Sequence, residues 1–272
     1  MKAIFFSAVL MASSSLFAQP MLVKQAIIST TTTVIAPEGE DVQNLQGGGG
    51  GNQMFRNMGD GETKSTTYLK DSMVKTILKS DIGRSTIIRN NEAKLTTTLL
   101  EIMGNKTGFF ITDTEQAEMR IRMDSMNEAR RNADTTRPKR TSGNNSNTVE
   151  ISYVDGSKKI AGYDCKKALV ITTRILGIKD SVAVWYNPQI KLQNIASTGG
   201  TSSFGGFGNV GNFTSLNGLD KIDGFVMEYQ MNMRRGRKMI VEVTKIDLKK
   251  ELTEKEFDIP KDFEVKPMKE FQ

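Results

Sequence analysis

The sequence predicts a mainly β (α+β) domain built on a large antiparallel sheet, with one main helix and two glycine-rich loop insertions. Three observations carry that expectation. Short segments rich in Val, Ile, Thr and aromatic residues recur between Thr63 and Thr112 at nearly even spacing, with turn-forming residues between them. A second set of such segments fills Thr148 to Pro188 and Phe225 to Leu248. Only Asp113 to Ala133 is helical in pattern, so strands follow strands, and a parallel nucleotide-binding sheet is disfavoured.

Length and composition set the outer limits. With 272 residues, 38% of them apolar, the chain can bury one large core or two small ones, and it reads as a single domain over residues 19–272. The formal charge of +6 comes from basic residues in local clusters outside any nucleic-acid motif, so no nucleic-acid partner is expected. Residues 1–18 read as a secretory signal peptide: Lys2 supplies a basic start, Ala3 to Phe17 an apolar core shorter than a membrane span, and Ala18 a small residue before the cut. Leu16 is larger than such cut sites favour, which leaves an uncleaved anchor as the alternative. No transmembrane helix is expected in the mature chain. Cys165 is the only cysteine, so no intrachain disulfide can form, and it lies too far from the cut to be lipidated. It reads as a small buried hydrophobe rather than a reactive thiol, because the chain has no histidine to activate it.

Taken in order, Leu22 to Ile35 is strand-like, with Thr30 to Thr33 as a β-branched run and Pro37 ending it; its mixed faces predict an edge or half-exposed strand. Gly47 to Gly51 opens an insertion (46–62) that carries Met54, Phe55 and Met58, read as a disordered loop or as an apolar flap over a pocket. Five strands follow, TKSTTYLK, SMVKTILK, RSTIIRN, AKLTTTLLEI and KTGFFIT, separated by Asp71, Asp81 to Gly83, Asn90-Asn91 and Gly104-Asn105. In Asp113 to Ala133, Asp113 and Gln116 are placed as a capping box, and Met119, Met123 and Met126 are spaced for one helix face. Ala117, Met119, Ile121 and Met123 also alternate as a strand would. The stretch Arg130 to Asn147 (insertion 132–147) is a solvated basic loop.

Thr148 to Val154 puts Val149, Ile151 and Tyr153 on one face, and Asp155-Gly156 predicts a two-residue hairpin. Lys158 to Pro188 reads as three short strands in a meander. Cys165, Leu169 and Ile171 share one face there, and Lys166, Ala168 and Val170 the other. Val182, Val184 and Tyr186 oppose Ala183 and Trp185, so that strand is apolar on both sides and belongs inside the sheet or under a covering element. A second insertion (197–213) carries Phe204, Phe207 and Phe213 among glycines. Phe225, Met227, Tyr229, Met231 and Met233 then alternate with polar or smaller residues, which predicts five large apolar groups on one side. After Arg235-Gly236, the phase of Met239, Val241 and Val243 slips to Ile246 and Leu248, as a bulge near Lys245 would produce. Thr253 to Phe257 reads as a turn of helix, and IPKDFEVKPM as an extended tail packed back across the sheet.

Much catalytic chemistry is missing. The absence of histidine removes Ser-His-Asp and Cys-His constellations and the commonest zinc and iron ligands. Neither glycine-rich stretch has the lysine or the strand-then-helix context of a phosphate loop. Asp220 with Asp223, or Glu254 with Glu256, are the carboxylate pairs left; among 31 acidic residues they read as ordinary surface pairs. The chain is expected to be no enzyme and to need no metal or cofactor.

The strand Lys159-Ile-Ala-Gly-Tyr-Asp-Cys165, the later Val184-Trp185-Tyr186, the preceding strand array and the late Ile259-Pro260 resemble the DUF4412 group and the neighbouring GLPGLI-type exported proteins of Gram-negative bacteria, over roughly Thr63 to Val265. The resemblance implies a strongly curved antiparallel sheet, a half-barrel similar to LolA and LolB, whose helix-covered concave face can enclose acyl chains. It also implies the periplasm or an outer-membrane association. The chain departs from that pattern in having one convincing helix and two glycine-rich insertions. The function expected is a non-catalytic binding or carrier module for an apolar, lipid-like ligand. Phe225, Met227, Tyr229, Met231 and Met233 would line the site with Trp185 and Tyr186 nearby, methionine suiting a pocket that adapts to varied chains. The competing reading makes the same side chains a plain core under the helix. The alternative function is a structural or interaction protein of the envelope, meeting a protein partner or an anionic surface through Arg130 to Arg140 and the glycine tethers. Asp71-Ser72, Asp124-Ser125, Asp134-Thr135 and Asp180-Ser181 resemble a short acceptor pattern for O-glycans.

Overall fold

A computed structural model describes residues 20–35, 61–80, 83–133, 148–173, 177–192, 218–233 and 236–271. The expected signal segment, most of the basic loop and the glycine-rich insertions lie outside the described residues, except that Gly61 and Glu62, expected in the first insertion, open a strand. The fold is mainly β, as the strand spacing predicts. Strands β1 (Met21–Val23) and β2 (Gln25–Ile35) precede a meander of β3 (Gly61–Lys70), β4 (Met73–Ser80), β5 (Gly83–Asn90), β6 (Leu95–Ile102) and β7 (Asn105–Thr112). The helix α1 (Asp113–Ala133) follows, then β8 (Thr148–Ile160), β9 (Tyr163–Thr173), β10 (Lys179–Asn187), β11 (Ile190–Leu192), β12 (Phe225–Asn232), β13 (Lys238–Asp247) and β14 (Val265–Pro267).

Twelve strands form one open sheet in the order β14-β7-β6-β5-β4-β3-β2-β13-β12-β10-β9-β8, and β1 pairs with β11 in a separate two-stranded sheet. Every pairing in the large sheet is antiparallel except β14 with β7. Tight turns hold this order. At Met103-Gly104 and Ala161-Gly162 both residues have positive φ (51° and 82°, 49° and 86°), the pairing whose twist matches that of the flanking strands.

Four sequence expectations are corrected. The segment Leu22 to Ile35 is no edge: it breaks at Lys24, and β2 pairs with β3 on one side and β13 on the other. Its threonines look half-exposed in sequence, yet Thr30 and Thr32 are buried. Asp155-Gly156 is no hairpin turn either. The β8–β9 register jumps between Val154 and Ser157, so these residues form a bulge inside a longer strand, and the chain turns at Ala161-Gly162. The helix is present, with its capping box one residue earlier than expected. Glu115 Oε2 accepts from Thr112 N–H and from its hydroxyl (both 3.0 Å), and Glu115 N–H donates to Thr112 Oγ1 (3.2 Å). Asp113 is thereby released to take a forked ion pair from Arg89, whose Nη2 lies 2.7 Å from Oδ2, and this guanidinium holds the carboxyl below the usual range. Finally, the helix does not roof the sheet. It meets the sheet chiefly at β7, and Ile121, Met123 and Met126 are exposed.

The tail behaves as expected. Glu254–Phe257 forms a 3-10 turn that buries Phe257, with Leu252 buried just ahead of it. Lys70 Nζ donates to the Leu252 carbonyl (2.7 Å) and Lys75 Nζ to that of Glu256 (2.6 Å), tying the tail across β3 and β4. Val265 then passes over Gly108, where an added Cβ would sit 2.9 Å from Val265 Cγ2 and 2.8 Å from Leu99 Cδ2. A side chain at 108 must push β14 off β7. Gly108→Val is expected to destabilise the fold by about 1–3 kcal/mol and to speed amide exchange at Val265 and Lys266, both readable by denaturant titration with hydrogen-exchange mass spectrometry.

Candidate functional site

Cross-strand register defines one face of the sheet that runs unbroken over seven strands. On β9 and β10, Val170 lies opposite Val182 and Ala168 opposite Val184; Val184 faces Tyr229 on β12. Tyr229 and Met231 face Val241 and Met239 on β13, which face Thr32 and Val34 on β2. The row continues through Thr30 to Ser65 and Leu78, and through Ile28 to Thr67 and Thr76. No charged side chain stands among these positions. One half, β9 to β13, is valine and methionine. The other, β2 to β4, adds buried hydroxyls: Thr30, Thr32, Ser65, Thr67 and Thr76, with Thr67 and Thr76 sharing a hydrogen bond of 3.1 Å.

The expected site residues are divided between clusters. Against β10, Trp185 pairs with Glu228 but Tyr186 with Val226, so β12 carries one extra residue at Met227 relative to β10. Tyr229 and Met231 share the uncharged face with Val184, and Met233, just past the strand, packs on the cluster of Met231, Met239 and Val241. Tyr186 lies with Val184, Ala168 and Val170. Phe225 and Met227 instead join Ile28 and Val243, further along the same face, in a cluster with Cys165, Ile160 and Ile190, and Trp185 packs against that group. A strict period of two puts all five together, and along that face they fall into separate clusters. The bulge expected near Lys245 is present between Val243 and Lys245, and it returns Ile246 to the side of Ile28.

Trp185 looks outward over the β8 bulge. Its ring lies against Gly156, where an added Cβ would come within 3.4 Å of it. Lys158 and Lys167 set their ammonium groups 5.8 and 5.7 Å from the ring centroid, and Lys158 also ion-pairs with Glu228. Cation–π contacts of this kind contribute about 0.5–1 kcal/mol each at exposed sites. Lys158 thus spans from β8 across the indole to β12, a strap over Trp185.

The titratable groups near these faces are tuned by burial. Burial pushes the Tyr229 phenol up to about 12. Burial likewise raises the Cys165 thiol, which is 1% exposed with Sγ 3.5 Å from the Tyr163 carbonyl. Asp223 pairs with Lys191; the Asp220 side chain lies outside the described residues. Among the described residues no cluster of His, Cys, Asp or Glu could hold a metal ion, and no helix is long and apolar enough to cross a membrane.

Residues 50–263 match the family model described as "Domain of unknown function (DUF4412)". The chain belongs to the DUF4412 family. This DUF4412 chain is also similar to two solved structures of PNGF-II. One, in space group C2, is 13% identical, with a TM-score of 0.36, and the match covers 91% of this chain and 32% of that one. The other, in P21, is 14% identical, with a TM-score of 0.34 and coverage of 91% and 33%. The DUF4412 chain thus spans about a third of the length of the protein it matches. A search of the curated proteins found no match.

Two measurements check the burial argument. Cys165 is expected to stay unmodified by a thiol reagent at pH 8 in the folded protein and to react fully once denaturant unfolds it; fast labelling of the native chain would contradict its place in the core. For Tyr229, a folded pKa raised above the unfolded value of about 10 means its contribution to stability is complete below pH 10 and is lost as pH climbs toward about 12. Denaturation midpoints of the wild type and of Tyr229→Phe should accordingly diverge over that window, with only the wild type losing this contribution.

Proposed function

We propose that the chain is an exported, non-catalytic binding module of the cell envelope that holds an apolar, acyl-chain type of ligand on the uncharged face of its sheet. The observation that carries this reading is the continuity of that face. Residues from β9, β10, β12 and β13 align Ala168, Val170, Val182, Val184, Tyr229, Met231, Met239 and Val241 in adjacent rows without a charge between them. Met231, Met239 and Met233 cluster there, and unbranched thioether side chains reshape around chains of varied length. The α1 helix stands at β7 rather than over this face, on which Leu219 and Ile222 pack instead. The resemblance to half-barrel lipid carriers supports a concave form for this side of the sheet, and the signal-like N-terminus supports export. The total lack of histidine supports a role in holding a molecule rather than transforming it.

Of the residues expected from sequence, Tyr186, Tyr229, Met231 and Met233 keep their place in this reading. Phe225, Met227 and Trp185 brace the sheet from the other cluster.

The test is chemical analysis of protein purified without detergent from an envelope fraction. Organic extraction and mass spectrometry should recover an acyl lipid in near-stoichiometric amount, and the folded double variant Val184→Glu with Met231→Glu should carry none. A folded wild-type chain that yields no lipid and takes up no fluorescent fatty-acid probe would end the proposal.

A further inference from the structure

The Arg89–Asp113 ion pair and the Thr112–Glu115 capping box pin α1 at its first turn, while Met123 and Met126 further along are 56% and 48% exposed. At about 100° per residue, Met126, Met119 and Met123 fall within an arc of roughly 60°. Arg122 lies about 40° beyond one rim of that arc and Arg120 about 60° beyond the other, both exposed. Glu118, Asp124 and Glu128 turn to the far side, with Ile121 among them. Of the remaining acids, Asp113 and Glu115 are engaged at the first turn. The helix is close to neutral in sum, and over 118–128 its charges are segregated: an apolar stripe edged by guanidinium groups on both sides, with carboxylates behind.

We propose that this face of α1 is an interfacial surface that docks on an anionic phospholipid bilayer. Methionines at the centre of the stripe can enter the boundary between head groups and acyl chains, and the arginine stems can lie along that boundary with their charged ends on lipid phosphates. A plain protein partner would need no cationic rim on both sides of the stripe. The sequence after the helix has the same sign, since residues 134–140 hold three basic residues, Arg137, Lys139 and Arg140, against the single acid Asp134. Three methionines give little burial, so attachment is weak, reversible and dependent on both terms. The proposal stands apart from the ligand reading, because it rests on none of the sheet residues named there.

The experiment is co-sedimentation of the full chain with vesicles of phosphatidylcholine alone and of phosphatidylcholine with phosphatidylglycerol. Binding is expected only to the anionic vesicles and should fall as salt rises. Arg120→Gln with Arg122→Gln should weaken it about thirtyfold, the loss expected for two charges at a lipid surface; Met123→Gln with Met126→Gln should weaken it at least about tenfold. Circular dichroism of both variants must match the wild type, a check these exposed positions should pass. Equal binding to neutral vesicles, no binding to anionic ones, or unchanged binding by both folded variants would overturn the proposal. So would a wild-type dimer that the methionine variant turns to monomer without any vesicle binding, since that result assigns the stripe to a second copy of the chain.

Discussion

The large sheet depends on the double pairing of β2. Ten of its residues pair with β3 and nine with β13, so this one strand joins the N-terminal meander, β3 to β7, to the C-terminal group, β8 to β10 with β12 and β13. It comes early in the sequence, yet its β13 partner lies about two hundred residues later. Closing so long a separation costs chain entropy that only the completed ladder returns, and such non-local pairing is intrinsically slow. Its inward row explains how the seam holds: Ala26 and Ile28 are fully buried, and Thr30 and Thr32 nearly so. Threonine is suited to this position. Its branched carbon packs as valine does, while its hydroxyl gains local hydrogen bonds of the sort seen between Thr67 and Thr76.

Bulges then decide which side chains meet. An antiparallel strand can change the face it presents only by inserting a residue, because side chains alternate with period two. The chain bulges at three places: two residues are inserted at Val154/Ser157 on β8, which keeps the faces in phase, and one each at Met227 on β12 and at Thr244 on β13. The first leaves Gly156 beneath the Trp185 ring, at a place where a larger residue would lift the indole from the sheet. The second lies where Phe225 and Met227 join the cluster around Cys165. The third keeps Ile246 beside Ile28 after the change of phase.

What was legible in the sequence follows the same physics. Period-two runs bounded by Asp71, Asn90-Asn91 and Gly104 mark β3 to β7 because each strand repeats its pattern over eight to ten residues. The slip after Val243 is visible because apolar residues stand on both sides of it. The jump at Met227 is hidden, since Phe225, Met227 and Tyr229 alternate without a break and only the partner strand reveals the extra residue. Asp155-Gly156 misleads for a related reason: a turn and a bulge both demand the backbone freedom that glycine has, and local sequence does not say which is used. The Thr112–Glu115 box fits the Ser/Thr-x-x-Glu pattern better than Asp113–Gln116, and reading the helix start from its first acidic residue overlooks it. The centrality of β2 is obscured by its threonines, which look like surface.

The arrangement separates the two surfaces for which functions are proposed. The α1 helix is fixed at β7, and the methionine-rich part of the uncharged face lies on β12 and β13, six to seven strands away in the order β7-β6-β5-β4-β3-β2-β13-β12. At about 4.8 Å per strand, that is roughly 30 Å measured along the sheet. Coupling over such a path needs an element with two discrete arrangements that both ends can bias. The intervening strands have none on view: their registers are unbroken from β7 to β2. A change that strips charge from the helix rim therefore leaves the packing of Met231 and Met239 as it was, and a change in that cluster leaves the helix cap intact. The two proposals, membrane attachment and ligand retention, therefore make independent demands on the sheet.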